Sequence, residues 1–103
     1  MKKILVNDLQ LRLKNKKITL LDVREPFELE LASIKNSINI PMSEISNRIS
    51  ELDKNEDIAV MCHSGIRSAQ VCYYLEQFGF RVYNVEGGID CWSEKIDNTI
   101  SRY

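Results

Sequence analysis

Short apolar runs alternate with amphipathic stretches along the whole chain. Lys3 to Val6 reads as a first strand, and Asn7 caps a helix whose Val6, Leu9 and Leu13 recur at helical spacing. Lys14 to Lys17 is a solvated turn. Ile18-Thr19-Leu20-Leu21-Asp22-Val23 is mostly apolar and reads as a strand buried on both faces. Pro26 opens a short helix, since its missing N–H costs nothing in a first turn. Ser37 to Ile40 is a short strand, and a helix follows from about Ser43 with Ile45, Ile49 and Leu52 on one face. After the polar turn Asp53 to Asp57, Ile58-Ala59-Val60-Met61 reads as a buried strand and Ser68 to Phe78 as a helix stopped by Gly79. Arg81 to Val85 is the last strand, and Gly87-Gly88 turns into a final helix carrying Ile89 and Trp92.

Strands that alternate with helices predict an α/β fold. Its parallel sheet, of about five strands, is flanked by helices on both faces. At 103 residues the chain predicts one domain over 1–103, with 95–103 a candidate irregular tail; beyond Asn98 the sequence is uninformative. At 44% hydrophobic the chain can bury a core. The net charge of −1 and the lack of a basic patch argue against nucleic acid or an anionic membrane as partner. No apolar run approaches the roughly 18 residues of a membrane span, and the N-terminus turns polar too early for a signal peptide. A cytoplasmic location is the expectation. Three cysteines without a CxxC pair fit reduced thiols.

Cys62-His63-Ser64-Gly65-Ile66-Arg67 lies between the strand at 58–61 and the helix that follows. A thiol there sits among backbone N–H donors at the positive end of a helix dipole. An ordinary cysteine ionises near about 8.5, and lowering that by about two units makes the thiolate the majority at neutral pH, for about 2.7 kcal/mol. Gly65 permits the tight turn that aims successive N–H groups inward. The bland alternative for Cys62 is a small buried hydrophobe. Arg67 falls in the first helical turn, where the dipole disfavours a cation. It either offsets an anion or thiolate, or is a solvated arginine whose stem covers apolar surface. His63 is either a proton-transfer or substrate-contact group or an exposed residue shaping the mouth. Cys72 and Cys91 read as packing residues. The spacing of Cys62, His63, Cys72 and Cys91 matches no usual zinc finger.

In open parallel sheets, ligands bind beyond the carboxyl ends of the strands. Asp22 and Cys62 both end predicted strands, which makes them candidate neighbours 40 positions apart. Asp22, Arg24 and Glu28 read either as an ion-pair brace beside the thiol loop or as solvated charges of a strand-end turn.

These residues together resemble the rhodanese family. Leu21-Asp22-Val23-Arg24-Glu25-Pro26-Phe27-Glu28 is similar to its amino-terminal signature. Ile38-Asn39-Ile40-Pro41, the Cys62 loop with Arg67 and Ser68, and Val85-Glu86-Gly87-Gly88-Ile89-Asp90 with Trp92 follow in register. The resemblance is to the short, single-domain sulfurtransferases. It implies a rhodanese-like fold and a Cys62 persulfide that carries a sulfane sulfur from a donor such as thiosulfate to a thiophilic acceptor. The substrate would be held by His63, Ser64, Gly65, Ile66 and Arg67, with Asp22, Arg24 and Glu28 in support. No metal or cofactor is implied. The partners implied are a small anionic sulfur donor and a thiol acceptor such as thioredoxin or glutathione. Four residues separate Cys62 from Arg67, whereas related phosphatases of the cell-cycle and arsenate-reductase kind have five. Two other readings stand beside this one: a rhodanese-like binding module without turnover, and a small Cys-dependent phosphatase. Where many members have His-Ile-x-Gly-Ala, this chain has Ser33-Ile34-Lys35-Asn36-Ser37, which predicts a modified local turn.

Overall fold

A computed structural model describes residues 1–103. Five parallel strands form one sheet: β1 (Lys2–Ile4), β2 (Thr19–Asp22), β3 (Ile38–Asn39), β4 (Asp57–Met61) and β5 (Arg81–Val85), in the order β1-β5-β4-β2-β3. The helices are α1 (Val6–Lys14), α2 (Pro26–Leu31), α3 (Ile45–Arg48, between short 3-10 turns), α4 (Ile66–Glu76) and α5 (Gly88–Lys95). The α/β architecture therefore agrees with the alternation of apolar and amphipathic segments.

The sheet is buried on both sides because its central strands carry apolar residues at consecutive positions. Leu21, Ile58, Val60 and Val82 point to a core shared with Ile45 of α3 and Val71, Cys72 and Leu75 of α4. Leu20, Ala59, Met61 and Val85 point to the opposite core, with Leu9 of α1 and Ile89 and Trp92 of α5. This is the period-two alternation of a strand expressed against two apolar layers. Burial of a side chain such as Leu20 or Leu21 contributes about 1.5–3 kcal/mol.

Several boundaries move. Helix α1 begins at Val6, with Leu5 at its N-cap and no side-chain cap, so Asn7 lies inside the first turn rather than capping it. Helix α4 begins two residues earlier than expected, at Ile66, because Gly65 takes the cap position with φ +112°. At the family departure, Asn36 adopts φ +65°, and Ser37 Oγ donates to the Ile34 carbonyl at 2.9 Å. Asparagine is among the few side chains that tolerate this left-handed conformation. The turn therefore keeps a backbone that glycine would also allow.

Candidate active site

Strand register brings the site together at the carboxyl edge of the sheet. Asp22 pairs with Met61, and the Val23 N–H donates to the Met61 carbonyl at 2.9 Å. Cys62 follows directly, so the two strand ends are neighbours as their positions in the sequence implied. Cys62 is almost wholly buried and belongs to the core beneath α4. Its sulfur nevertheless has polar company. The Gly65 N–H donates to Sγ at 3.1 Å, and Ser68 Oγ lies 3.3 Å away. Burial pushes the Cys62 thiol up. The backbone N–H groups of Ser68, Gly65 and Ser64 pull it down, and with the Ser68 hydroxyl counted as a donor to the sulfur the net direction is down. The loop thus turns backbone N–H groups toward the sulfur, which is also a packed core atom.

The N-terminus of α5 pins the loop from outside. Ile89 N–H donates to the Cys62 carbonyl at 3.0 Å and Asp90 N–H to the His63 carbonyl at 3.1 Å. Gly88 makes this approach possible: it sits at φ +61°, and a Cβ there would lie 2.6 Å from the Cys62 carbonyl oxygen and collide with His63 as well. The Gly87-Gly88 turn is therefore part of the site's construction.

The charged residues form two ion pairs. Asp22 and Arg24 are completely buried, with Arg24 Nη2 2.7 Å from Asp22 Oδ2 and Arg24 Nε 3.0 Å from Oδ1. Arg24 also donates to the carbonyls of Ala32 and Glu28, at 2.8 Å and 3.4 Å. Burial opposes the Arg24 charge, but Asp22 and Tyr103 raise its pKa overall. Glu28 pairs with Arg67 through two parallel bonds of 2.8 Å and 2.9 Å. This fork closes the first turn of α4 against α2. The Arg67 guanidinium holds the Glu28 carboxyl down at about 2, against the cost of burial, with help from the Glu25 N–H and the Tyr103 hydroxyl. Arg67 is thus a partly exposed side chain whose charge is matched by Glu28.

His63 is half-buried, Ser64 is exposed and Ile66 is strongly exposed, so these three shape the mouth. The tail contributes a residue that the sequence did not announce. Tyr103 stacks on His63 with ring centroids 4.2 Å apart and planes 13° from parallel. Its hydroxyl accepts from Arg24 Nη1 at 2.9 Å and donates to Glu28 Oε1 at 2.8 Å. Arg102 ties the same segment to Asp90 at 2.9 Å. Residues past Lys95 are irregular yet docked. Ser68, part of the loop motif but given no role by the sequence, lies beside the sulfur, and Asn84, which the sequence did not single out, accepts from Ser68 Oγ at 2.5 Å. The available signal was a polar residue near the carboxyl end of the strand Arg81-Val82-Tyr83-Asn84-Val85, beside Val60 of β4. No group of three or more His, Cys, Asp or Glu side chains is placed to hold a metal ion.

The rhodanese-like domain family model matches residues 5–95, nearly the whole chain and all of the site except the tail. The chain belongs to the rhodanese-like domain family. Among its relatives is a protein named sulfurtransferase from Allochromatium vinosum, 42% identical over 77 residues, covering 74% of this chain and 72% of that one. Another is thiosulfate sulfurtransferase GlpE of Vibrio cholerae, 32% identical over 88 residues, covering 84% and 83%. A rhodanese-related protein from Thermoplasma volcanium superposes with a TM-score of 0.88 at 44% identity, covering 93% of this chain and 94% of that one. Rhodanese-like membership matches the four motifs that carried the resemblance.

Proposed function

We propose that this rhodanese-like domain is a sulfurtransferase that carries a sulfane sulfur on Cys62. The observation that bears most weight is the sulfur environment: one thiol at a strand end, facing the Gly65 N–H and the Ser68 hydroxyl. The names of its relatives support the same class of reaction.

In the first half-reaction the Cys62 thiolate attacks the outer sulfur of a donor such as thiosulfate. The donor's S–S bond breaks, and sulfite leaves with the bonding electron pair. Cys62 is left as a persulfide whose terminal sulfur carries the negative charge that the thiolate brought. In the second, an acceptor thiolate, or cyanide in an assay, attacks that terminal sulfur and expels Cys62 as thiolate. The sequence is a double displacement with a covalent intermediate. Loop N–H groups stabilise the negative charge at each stage. Substrate contacts come from His63, Ser64, Gly65 and Ile66. Arg67 acts on the loop as half of the Glu28 pair, and Asp22 and Arg24 hold the strand end. A cellular acceptor of the thioredoxin or glutathione type fits the second step. A reducing compartment such as the cytoplasm suits the required thiolate, and no helix is long and apolar enough to cross a membrane.

The test is a panel of donors and acceptors read by intact mass. Thiosulfate or a low-molecular-weight persulfide should add one sulfur atom to Cys62, and an acceptor thiol should remove it. Cys62→Ser should keep the fold and lose both steps. A native protein that gains no sulfur from any donor would be a binding module, and Cys62-dependent hydrolysis of an aryl phosphate would make it a phosphatase.

A further inference from the structure

Behind Cys62 lies a buried polar chain that sulfur transfer does not obviously need. Ser68 is fully buried and Asn84 nearly so. Asn84 Nδ2 donates to the Gly65 carbonyl at 3.0 Å. That carbonyl can only accept, so the amide orientation is fixed and Oδ1 must face Ser68. Oδ1 can also only accept. The Ser68 hydroxyl, 2.5 Å from it, must therefore give it its single proton. What Ser68 then presents to Cys62 Sγ, 3.3 Å away, is a lone pair.

This arrangement is complete when Cys62 is a thiol: S–H donates to Ser68, and Ser68 donates to Asn84. When the sulfur is ionised, two acceptors want one proton. Ser68 either keeps facing Asn84 and turns a lone pair toward the thiolate, or swings to the sulfur and strands a buried carbonyl oxygen. We infer that Asn84 is a positioning residue that draws the Ser68 proton away from Cys62 Sγ, so that the buried network favours the protonated sulfur and sets how readily the nucleophile forms. The inference rests on Cys62 being the working thiol.

Other side chains near the sulfur do not compete for the Ser68 proton. Arg67, on the first turn of α4, is matched by Glu28 of α2. Cys72, one turn further along α4 from Ser68, is pushed up to about 12 by burial and stays protonated. His63 on the loop is stacked against Tyr103, Asp90 on α5 pairs with Arg102, and Asp22 with Arg24 at the end of β2. The loop itself does not depend on Asn84 alone, since the Gly65 carbonyl also accepts from the Ala69 N–H at 3.2 Å.

The test is the pH dependence of Cys62 alkylation by iodoacetamide, from about pH 5 to pH 9, localised by peptide mass. Asn84→Leu, close to asparagine in shape, frees the Ser68 proton for the thiolate. The midpoint should fall by about 0.7 of a pH unit, the size of one net hydrogen bond. In a Ser68→Ala background the same substitution should move nothing, which isolates the coupling. A midpoint that rises or stays put in folded Asn84→Leu overturns the inference, as does an equal fall without Ser68. If leucine unfolds the domain, Asn84→Ala carries the same test. A native protein that alkylates as described but never gains sulfur would retain the latch and refute the sulfurtransferase reading.

Discussion

Replacing Glu28 by glutamine removes a charge from a carboxylate that receives four hydrogen bonds: two from Arg67, one from the Glu25 N–H and one from Tyr103. Its ionisation falls from the usual 4.5 to about 2. At about 1.36 kcal/mol per pH unit, that fall sets a ceiling of about 3.4 kcal/mol on the stabilisation. The Arg67 side chain is 32% exposed, so water screens its half of the pair. About 1.5–2.5 kcal/mol is the expected loss in Glu28→Gln. The sign follows from the lowered value. The stabilisation is complete above about pH 4.5 and disappears as pH falls toward about 2. Urea unfolding of both proteins at about pH 7, 4 and 2.5 tests this directly. With a slope of about 1–1.5 kcal/mol per molar urea, the native midpoint should exceed that of Glu28→Gln by about 1–2.5 M at neutral pH. The gap should close in acid, because protonated glutamate has lost what glutamine lacks. A gap of constant size at all three pH values would refute the reasoning, as would no gap at pH 7.

Three other outcomes follow from the same geometry. Gly88→Ala puts a Cβ 2.6 Å from the Cys62 carbonyl oxygen at a positive φ. The α5 N-terminus should then separate from the loop, with faster amide exchange at Ile89 and Asp90 and loss of persulfide yield. Tyr103→Ala should remove the ring-current shift on the His63 imidazole protons, read by NMR, whereas Tyr103→Phe should keep it, because the contact is a stack. The Cys72 thiol, pushed up to about 12, should resist iodoacetamide at about pH 8 in the folded protein while Cys62 reacts, and both should react in urea.

How far the sequence could be read depended on the range of the interaction concerned. Strand and helix identities were legible because they rest on local periodicity: paired apolar positions in Leu20-Leu21 and Ala59-Val60, and helical spacing in α4. Their ends were less so. Gly65 became a cap and extended α4, a choice made by the backbone conformation of a single residue. Cys62, Gly65 and the strand-end placement of Asp22 could be read because a loop between a strand and a helix has known chemistry.

The partners of Glu28, Asn84 and Tyr103 could not be read this way. Each lies far from its partner in sequence, 39 residues for Glu28 with Arg67, 16 for Asn84 with Ser68 and 75 for Tyr103 with Glu28. By itself the sequence determined the order of elements, the two-sided sheet and the placement of Cys62 on a loop between a strand and a helix, because those follow from side-chain pattern along neighbouring residues. Only the tertiary structure decided that Arg67 is spoken for, that Tyr103 covers His63 and that Ser68 has two claimants for one proton. Hydrogen-bond direction and charge pairing depend on which atoms meet within about 3 Å, and that is set by the packing of the whole domain.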